Sequence, residues 1–149
     1  NVAAIEPANA AVNLNLGMLL AELGRLGEAE KAFRAACQSD PRSAVAAYNL
    51  GVLLSADRPA ESLQWCRRAF ALQPGDARYG YTLGYFLAAQ QQVAEAVDVL
   101  ERVIRLGPAS PEAYALLGAI YRQTNRPAEA ARVYRSAAEN PAQSSPSRR

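Results

Sequence analysis

The amino-acid sequence predicts an all-α protein, a solenoid in which one helical hairpin recurs four times. A Leu-Gly pair recurs, and its glycines stand 34, 33 and 34 residues apart, at Gly17, Gly51, Gly84 and Gly118. Prolines recur with nearly the same period, and the apolar residues between them follow the i, i+3, i+4, i+7 spacing of amphipathic helices. A fixed period of this length is typical of repeat proteins, which present an extended surface rather than a single pocket.

The recurring prolines divide the chain into hairpin-sized units, because a proline ring prevents a helix from continuing. They stand at Pro7, Pro41, Pro74, Pro108 and Pro141. Small polar residues follow, and we predict that they cap the next helix, at Asn9, Ser43, Asp76 and Ser110. We assign residues 1–8 to the remnant of a preceding helix or repeat, 9–42, 43–75, 76–109 and 110–141 to four repeats, and 142–149 to a flexible tail.

Each unit contains two amphipathic segments separated by a short break. In the first unit the spacing predicts helices over about 9–23 and 26–39, with the break at Gly24 and Arg25. The later breaks fall at residues 57–59, 90–92 and 124–127. We expect the first helix to pack through Leu16, Leu20 and Leu23, and the second through Ala29, Phe33 and Ala36.

The recurring glycine predicts a close approach of the two helices in each hairpin. A glycine inside a helix costs about 0.5–1 kcal/mol relative to alanine, so its repetition calls for a packing reason. We expect a small residue of the second helix to approach each glycine, namely Ala29, Ser62, Ala96 and Ala130. Larger residues one turn later are expected to fill the wider gap, namely Phe33, Cys66, Leu100 and Tyr134.

This pattern resembles the tetratricopeptide repeat (TPR), whose first helix carries Leu-Gly and whose second carries alanine, an aromatic residue, alanine and a closing proline. The first unit matches at Leu16, Gly17, Leu20, Ala29, Phe33, Ala36 and Pro41, and the match continues over about residues 7–141. Cys66 in place of an aromatic residue and Val103 in place of a small one are departures. The resemblance implies an α-α superhelix, a right-handed solenoid of antiparallel hairpins whose first helices line a concave groove that is the usual ligand site.

Helical geometry then indicates which side chains face the groove, because residues beside each Leu-Gly pair lie on one side of the first helix. The candidates for partner binding are Leu14, Asn15, Met18, Tyr48, Asn49, Val52, Arg78, Tyr81, Tyr85 and Arg122. Tyrosine and arginine are enriched at interfaces, since they combine a large contact area with a polar group. We expect Tyr48, Tyr81 and Tyr85 to form an aromatic patch; the alternative is that they pack along neighbouring helices.

Two recognition modes known in TPR proteins can be compared with these residues. Asn15 and Asn49 are similar to the asparagine ladder of O-linked N-acetylglucosamine transferases, whose carboxamides can pair with a peptide backbone. Thr82 interrupts that ladder. The carboxylate clamp for chaperone C-terminal tails does not fit, because Leu14 and Met18 occupy the places of its first lysine and asparagine.

The N-terminal end carries apolar residues that no preceding repeat in the sequence would cover, namely Val2, Ile5, Val12 and Leu19. Solenoids need covered ends to stay soluble. We therefore expect further repeats, another domain or another copy of the chain at this assembly face. A head-to-tail contact between copies would give a filament, and an isologous contact would give a dimer.

Composition argues against several other functions. The sequence has no histidine and only two cysteines, Cys37 and Cys66, so we expect no cofactor, no metal and no catalytic centre. A net charge of +2 is too small to favour nucleic acid as a partner. No apolar run approaches the roughly 20 residues that span a bilayer, so we expect no membrane insertion. Trp65, with Arg67 and Arg68, is expected on the outer side in a structural role.

We therefore predict a non-catalytic scaffold that binds a peptide segment or protein partner in the concave groove. The alternatives are a structural or self-assembly module and a TPR region appended to a larger bacterial protein, since residues 46–54 and 65–69 are similar to TPR regions fused behind multi-haem cytochromes. Lys31 is the only lysine among sixteen basic residues, which favours a GC-rich bacterial genome. The chain opens on Asn1, as a processed protein or a fragment would, and its compartment stays open between cytoplasm and periplasm or exterior.

Overall fold

The computed structural model describes residues 7–140, with side chains from residue 9 onward. Over this range the chain forms eight α-helices and no strand, as the sequence predicts. They are α1 (Pro7–Glu22), α2 (Leu26–Ser39), α3 (Ala44–Leu54), α4 (Pro59–Leu72), α5 (Ala77–Ala89), α6 (Val93–Leu106), α7 (Pro111–Gln123) and α8 (Pro127–Glu139). The chain divides into two compact units between Gln73 and Pro74.

Unit 1 contains the hairpins α1–α2 and α3–α4, and α2 also packs against α3. Its core includes Phe33, Ala36 and Cys37 of α2 together with Ala46 and Leu50 of α3. The second helix of one hairpin and the first helix of the next therefore bury a common set of apolar side chains.

Unit 2 repeats this arrangement with the hairpins α5–α6 and α7–α8. Here α6 packs against α7, and the first helices α5 and α7 also touch each other. The largest fully buried side chains are leucines and a valine at the repeat positions, namely Leu83, Leu87, Leu100, Leu117 and Val133.

Three of the four predicted N-caps are confirmed. The side chains of Ser43, Asp76 and Ser110 accept hydrogen bonds from backbone N–H groups in the first turns of α3, α5 and α7. The fourth prediction is wrong, because α1 already begins at Pro7 and Asn9 lies inside the helix. Proline is tolerated in the first helical turn, where its missing N–H would have no partner in any case.

The contact made by the recurring glycines differs from the sequence prediction. The large residue of the second helix lies closest to each glycine: a Cβ placed on Gly17 would lie 2.5 Å from Phe33 Cδ1, and one on Gly84 would lie 2.7 Å from Leu100 Cγ. At Gly51 the small residue approaches as well, since the Ser62 backbone oxygen would lie 3.2 Å from the added Cβ. Helical side chains lean toward the N-terminus and cover the preceding turn, so a residue one turn later reaches back over the crossing point. The small residues at the crossings are buried, as predicted, at Ala29, Ser62, Ala96 and Ala130.

The packing stripe predicted for the first helix is also wrong in two of its three members. Leu20 is buried, but Leu16 is 45 % exposed and Leu23 is 62 % exposed. The residue that corresponds to Leu16 in the next repeat, Leu50, is completely buried among residues of α2 and α3. This leucine position therefore packs on the hairpin that precedes it, and the part of the chain that the structure describes has no hairpin before α1.

Candidate functional site

The groove candidates of unit 1 lie on α1 and α3, which touch each other. Met18 and Val52, at equivalent positions in the two repeats, are both exposed. Leu14 is half-buried against the core cluster of unit 1, and Tyr48 is half-buried. This face is mainly apolar, with no charged side chain among the predicted candidates.

The two asparagines of the predicted ladder differ in their availability. Asn49 donates a hydrogen bond from Nδ2 to the backbone carbonyl of Val45, at 2.8 Å, so one of its two donor hydrogens is used within α3. Asn15 is exposed on α1. A carboxamide offers two donors and one acceptor, so Asn49 keeps its oxygen and one hydrogen for a partner.

The groove candidates of unit 2 lie on α5 and α7. Tyr81 is half-buried and Tyr85 is 52 % exposed, and their ring centroids are 6.4 Å apart. On the neighbouring helix the corresponding positions are occupied by Ala115 and Ala119. The two touching helices therefore carry aromatic rings on α5 and small side chains at the equivalent positions of α7.

A cavity of about 300 Å³ opens at the end of α7, between Ala119, Arg122 and Gln123. Arg122 is exposed, and its side chain makes no hydrogen bond or ion pair with any residue that the structure describes. A guanidinium without a partner can donate two parallel hydrogen bonds to a carboxylate, or donate to the oxygen of a peptide carbonyl. Arg122 stays a predicted partner-binding residue.

Arg78 differs from Arg122 because its charge is already engaged. Its guanidinium is 2.9 Å from Asp76 Oδ2, and Asp76 also caps α5. The hydrogen bond from Arg78 lowers the pKa of the Asp76 carboxyl below its usual value. The structure thus gives Arg78 a local role at the start of α5.

The outer side of unit 1 carries an ion-pair network that links α2 to the start of α4. Arg34 lies 2.9 Å from Glu30 and 2.6 Å from Glu61, and Arg58 pairs with both carboxylates. The hydrogen bond from Arg58 lowers the pKa of Glu30, and that from Arg34 lowers the pKa of Glu61. These side chains bridge two hairpins and have each other as partners.

Trp65 lies half-buried beside this network, on the second helix α4, and packs against the core cluster of unit 1. Its indole Nε1 donates to Glu61 at 3.3 Å, and the Arg68 guanidinium lies 5.6 Å from the ring centroid. Arg68 also donates to the backbone carbonyl of Pro41 at 2.8 Å. Arg68 is therefore held in place rather than simply solvated.

The two thiols have no feature of a reactive site. Cys37 and Cys66 are both free and buried. Burial raises the pKa of Cys37 and raises that of Cys66 to about 11, which keeps both as neutral thiols at physiological pH. Among the described residues, no group of three or more Cys, Asp or Glu side chains could hold a metal ion.

Tyr121 of unit 2 joins α7 to α6 and α8. Its hydroxyl donates to Glu101 Oε1 at 2.5 Å, and Glu101 also pairs with Arg132 of α8. Burial, together with the hydrogen bond to the carboxylate, raises the pKa of Tyr121 to about 12. Ionising this phenol would place a second negative charge against Glu101.

Tyr121 is therefore expected to make unit 2 sensitive to alkaline pH. Its folded pKa of about 12 lies above the unfolded value of about 10, so its stabilising contribution is complete below about pH 10 and is lost as pH rises through about 12. The loss can reach about 1.4 kcal/mol for each pH unit. In Tyr121→Phe the melting temperature should fall less steeply with pH over this window. The exposed Tyr134→Phe serves as the control, and equal slopes in wild type and Tyr121→Phe would contradict the assignment.

Comparison with known proteins identifies the family. The sequence model of the tetratricopeptide repeat matches residues 2–44, 14–77 and 81–145, which is nearly the whole chain. The chain belongs to the tetratricopeptide repeat family. Its eight described helices, paired into hairpins, have the α-α superhelix fold class of TPR proteins. No curated protein sequence matches the chain significantly.

Solved TPR structures have the same fold. MamA is 26 % identical with a TM-score of 0.79, over 90 % of this chain and 79 % of MamA. PilF of Pseudomonas aeruginosa is 26 % identical with a TM-score of 0.73, over 89 % of this chain and 62 % of PilF. The first TPR of RPAP3, bound to an HSP90 peptide, is 24 % identical with a TM-score of 0.75, over 82 % of this chain and 98 % of that one.

Several predictions from the sequence stay predictions. The family matches begin and end at residues that differ from our repeat boundaries, so the boundaries are still an assignment from the sequence period. Val2 and Ile5 of the predicted assembly face lie outside the described residues. No helix among residues 7–140 is long and apolar enough to cross a membrane.

Sequence reasoning missed two features of the surface. Leu16 and Leu23 extend the exposed apolar stripe of α1, although we placed them in the hairpin interior. The signal was present, because in a TPR array this leucine position faces the preceding repeat. The hollow beside Arg122 was missed as well, since it depends on the small size of Ala119 on the neighbouring turn.

Proposed function

We propose that this TPR protein is a non-catalytic scaffold that binds a peptide segment or protein partner along its first helices. The observation that carries the proposal is the face of unit 2 formed by α5 and α7, where the rings of Tyr81 and Tyr85 lie close together on α5. Ala115 and Ala119 occupy the equivalent positions of α7, and the side chain of Arg122 at the end of α7 has no partner among the described residues. This face offers aromatic contact area, a positively charged side chain, and room for the side chains of a partner.

Each part of this face has a physical role in binding. Tyrosine rings offer large contact area at low cost in conformational entropy, and their hydroxyls can bond a peptide backbone. The alanines leave space for apolar side chains of the partner. Arg122 can pair with an acidic side chain or a carbonyl, and its long stem covers apolar surface.

The exposed apolar residues of unit 1 support the same role. Met18 and Val52 lie on first helices at the positions equivalent to Tyr85. Methionine adapts its shape to different partners, which suits a surface that binds peptide side chains. The RPAP3 domain, whose likeness to this chain is one of fold, is bound to a peptide and illustrates the general mode.

The test uses peptides selected from a random library against the immobilised chain, with affinities then measured by calorimetry. Tyr81→Ala and Tyr85→Ala should each raise the Kd about tenfold, which corresponds to about 1–2 kcal/mol. Helicity by circular dichroism should not change, because both rings lie at the surface. Leu106→Ala, an exposed apolar residue of α6, is the matched control and should bind like the wild type.

The groove assignment fails if the selected peptides bind all four proteins equally. It also fails if only Leu106→Ala loses affinity, because that residue lies on a second helix.

A second role, assembly at the free end of unit 1, has its own supporting observation. Val12, Leu16 and Leu19 of α1, and Leu23 in the turn after it, are all large, apolar and exposed. Contiguous exposed apolar residues on a soluble protein mark an interaction surface. This surface lies on a different side of α1 from Met18, so the two roles can be tested separately.

A further inference from the structure

The exposed apolar residues of α1 form one continuous stripe along the helix. Val12, Leu16 and Leu19 follow the spacing i, i+4, i+7, which keeps them on a single side of a helix with 3.6 residues per turn, and Leu23 follows in the turn directly after α1. Val12 is 64 % exposed and Leu19 is 53 % exposed, and the other two are comparable.

The positions of Val12 and Leu16 are buried in later repeats of the chain, against the second helix of the preceding hairpin. In α3 the positions of Val12 and Leu16 are occupied by Ala46 and Leu50, which share a core cluster with Cys37 of α2. In α7 the equivalent residues are buried as well, on the helix that α6 packs against. They are Ala113, Leu117 and Ile120. The natural cover for this stripe is therefore the second helix of a hairpin.

One second helix of the same chain has the matching surface uncovered. In α8 the positions of Phe33, Ala36 and Cys37 are occupied by Tyr134, Ala137 and Ala138. Cys37 is buried in unit 1, whereas Ala138 is exposed and Tyr134 is 39 % exposed.

The side chains of the two uncovered helices are complementary in size. Within unit 1, Cys37 and Ala46 belong to the same buried cluster at this junction, and the equivalent positions of unit 2 are occupied by Ile104 and Ala113. Between α8 and α1 the pair is Ala138 with Val12, so a smaller residue on the second helix meets a larger one on the first. Packed interiors tolerate such exchanges when the total volume is kept.

We propose that α8 of one copy packs on α1 of the next copy, head to tail. The inference rests on the assembly role proposed for α1, and it names the surface that binds there. A heterologous contact of this kind leaves a free head and a free tail on every complex, so assembly continues into an open chain or closes into a ring. The partner of the α1 stripe is thus a second copy of this protein.

Two variants each block one half of the contact. The head-blocked variant carries Leu16→Gln with Leu19→Gln, which places amide groups on the α1 stripe and leaves α8 intact. The tail-blocked variant carries Ala138→Arg, which places a charged side chain on the α8 face and leaves α1 intact. All three residues are exposed in the chain itself, so both variants should keep the wild-type helicity.

Molar mass is then measured by size-exclusion chromatography with light scattering over a range of concentrations. The wild type should form oligomers whose mass grows with concentration. Each variant alone should be a monomer, and an equimolar mixture should give a one-to-one dimer, because only one productive head and one productive tail remain. Met18→Gln on the groove side of α1 and Ala128→Arg in the first turn of α8 are the matched controls, and both should assemble like the wild type.

The contrary outcomes separate the two proposals. If the tail-blocked variant dimerises alone and the head-blocked variant does not, α1 binds a second α1, so the head-to-tail contact fails while assembly through α1 stands. A wild type that stays monomeric at every concentration overturns both, because a different partner must then cover the stripe. Neither result bears on the groove, which is tested by Tyr81→Ala and Tyr85→Ala.

Discussion

Leu50→Ala is expected to lower the free energy of unfolding of unit 1 by about 3 kcal/mol, because it opens a cavity in a core that cannot collapse onto it. Leu50 is completely buried and shares a cluster with Phe33 and Ala36 of the preceding hairpin. The loss should be visible as a lower urea midpoint. Trp65 is the single tryptophan and packs against this cluster, so its fluorescence reports on unit 1.

The matched control is Leu16→Ala, the same substitution at the same position of the preceding repeat. Leu16 is 45 % exposed, so removing its side chain leaves no buried cavity and should lower the free energy of unfolding by less than about 1 kcal/mol. The measurement should be made at concentrations where the chain is monomeric, since assembly through α1 would bury Leu16. Equal losses in the two variants would show that α1 is covered within the single chain.

This pair of leucines also shows how far the sequence could predict the fold. The period, the prolines and the caps at Ser43, Asp76 and Ser110 predicted the helices and their pairing, because these features act locally. The period makes Leu16 and Leu50 equivalent, but burial depends on the neighbouring hairpin and not on the residue itself. Sequence spacing alone therefore placed Leu16 in a core where it does not lie.

The candidate site was predictable to a similar degree. Helical geometry indicated which positions stand beside each Leu-Gly pair, and most of those side chains are exposed or half-buried. It could not show that Asn49 bonds to its own helix or that Arg78 pairs with Asp76, because those partners depend on rotamers. It also could not separate Arg78 from Arg122, which differ in their neighbours and not in residue type.

Gly51→Ala is expected to destabilise unit 1 by about 2–3 kcal/mol, as overpacking of a close helix crossing does. A Cβ on Gly51 would lie 2.6 Å from Cys66 Sγ and 3.2 Å from the backbone nitrogen of the same residue. Ser62 holds the helices together here, since its hydroxyl donates to the Gly51 carbonyl at 2.6 Å. The crossing cannot widen without breaking that buried hydrogen bond.

A double-mutant cycle with Cys66→Ala separates the steric effect from the change in helix propensity. Alanine is favoured over glycine inside a helix by about 1 kcal/mol, so steric contacts make Gly51→Ala unfavourable, and the closest of them is with the thiol. Once Cys66→Ala removes the sulfur, Gly51→Ala should cost little or become stabilising, with a coupling energy of about 1–3 kcal/mol. Urea denaturation followed by Trp65 fluorescence gives all four corners of the cycle, and additive losses would show that the glycine does not face the thiol.

Gly118→Ala extends the comparison to a crossing that can yield. A Cβ there would meet the ring of Tyr134, which is partly exposed and can turn toward solvent. The ring can move because nothing equivalent to the Ser62 hydrogen bond fixes this crossing: Ala130 stands at that position. We therefore expect Gly118→Ala to change stability by less than about 1 kcal/mol. Replacing the recurring glycine by alanine thus changes stability by a different amount at each crossing. The amount depends on whether the large neighbouring side chain is enclosed or exposed.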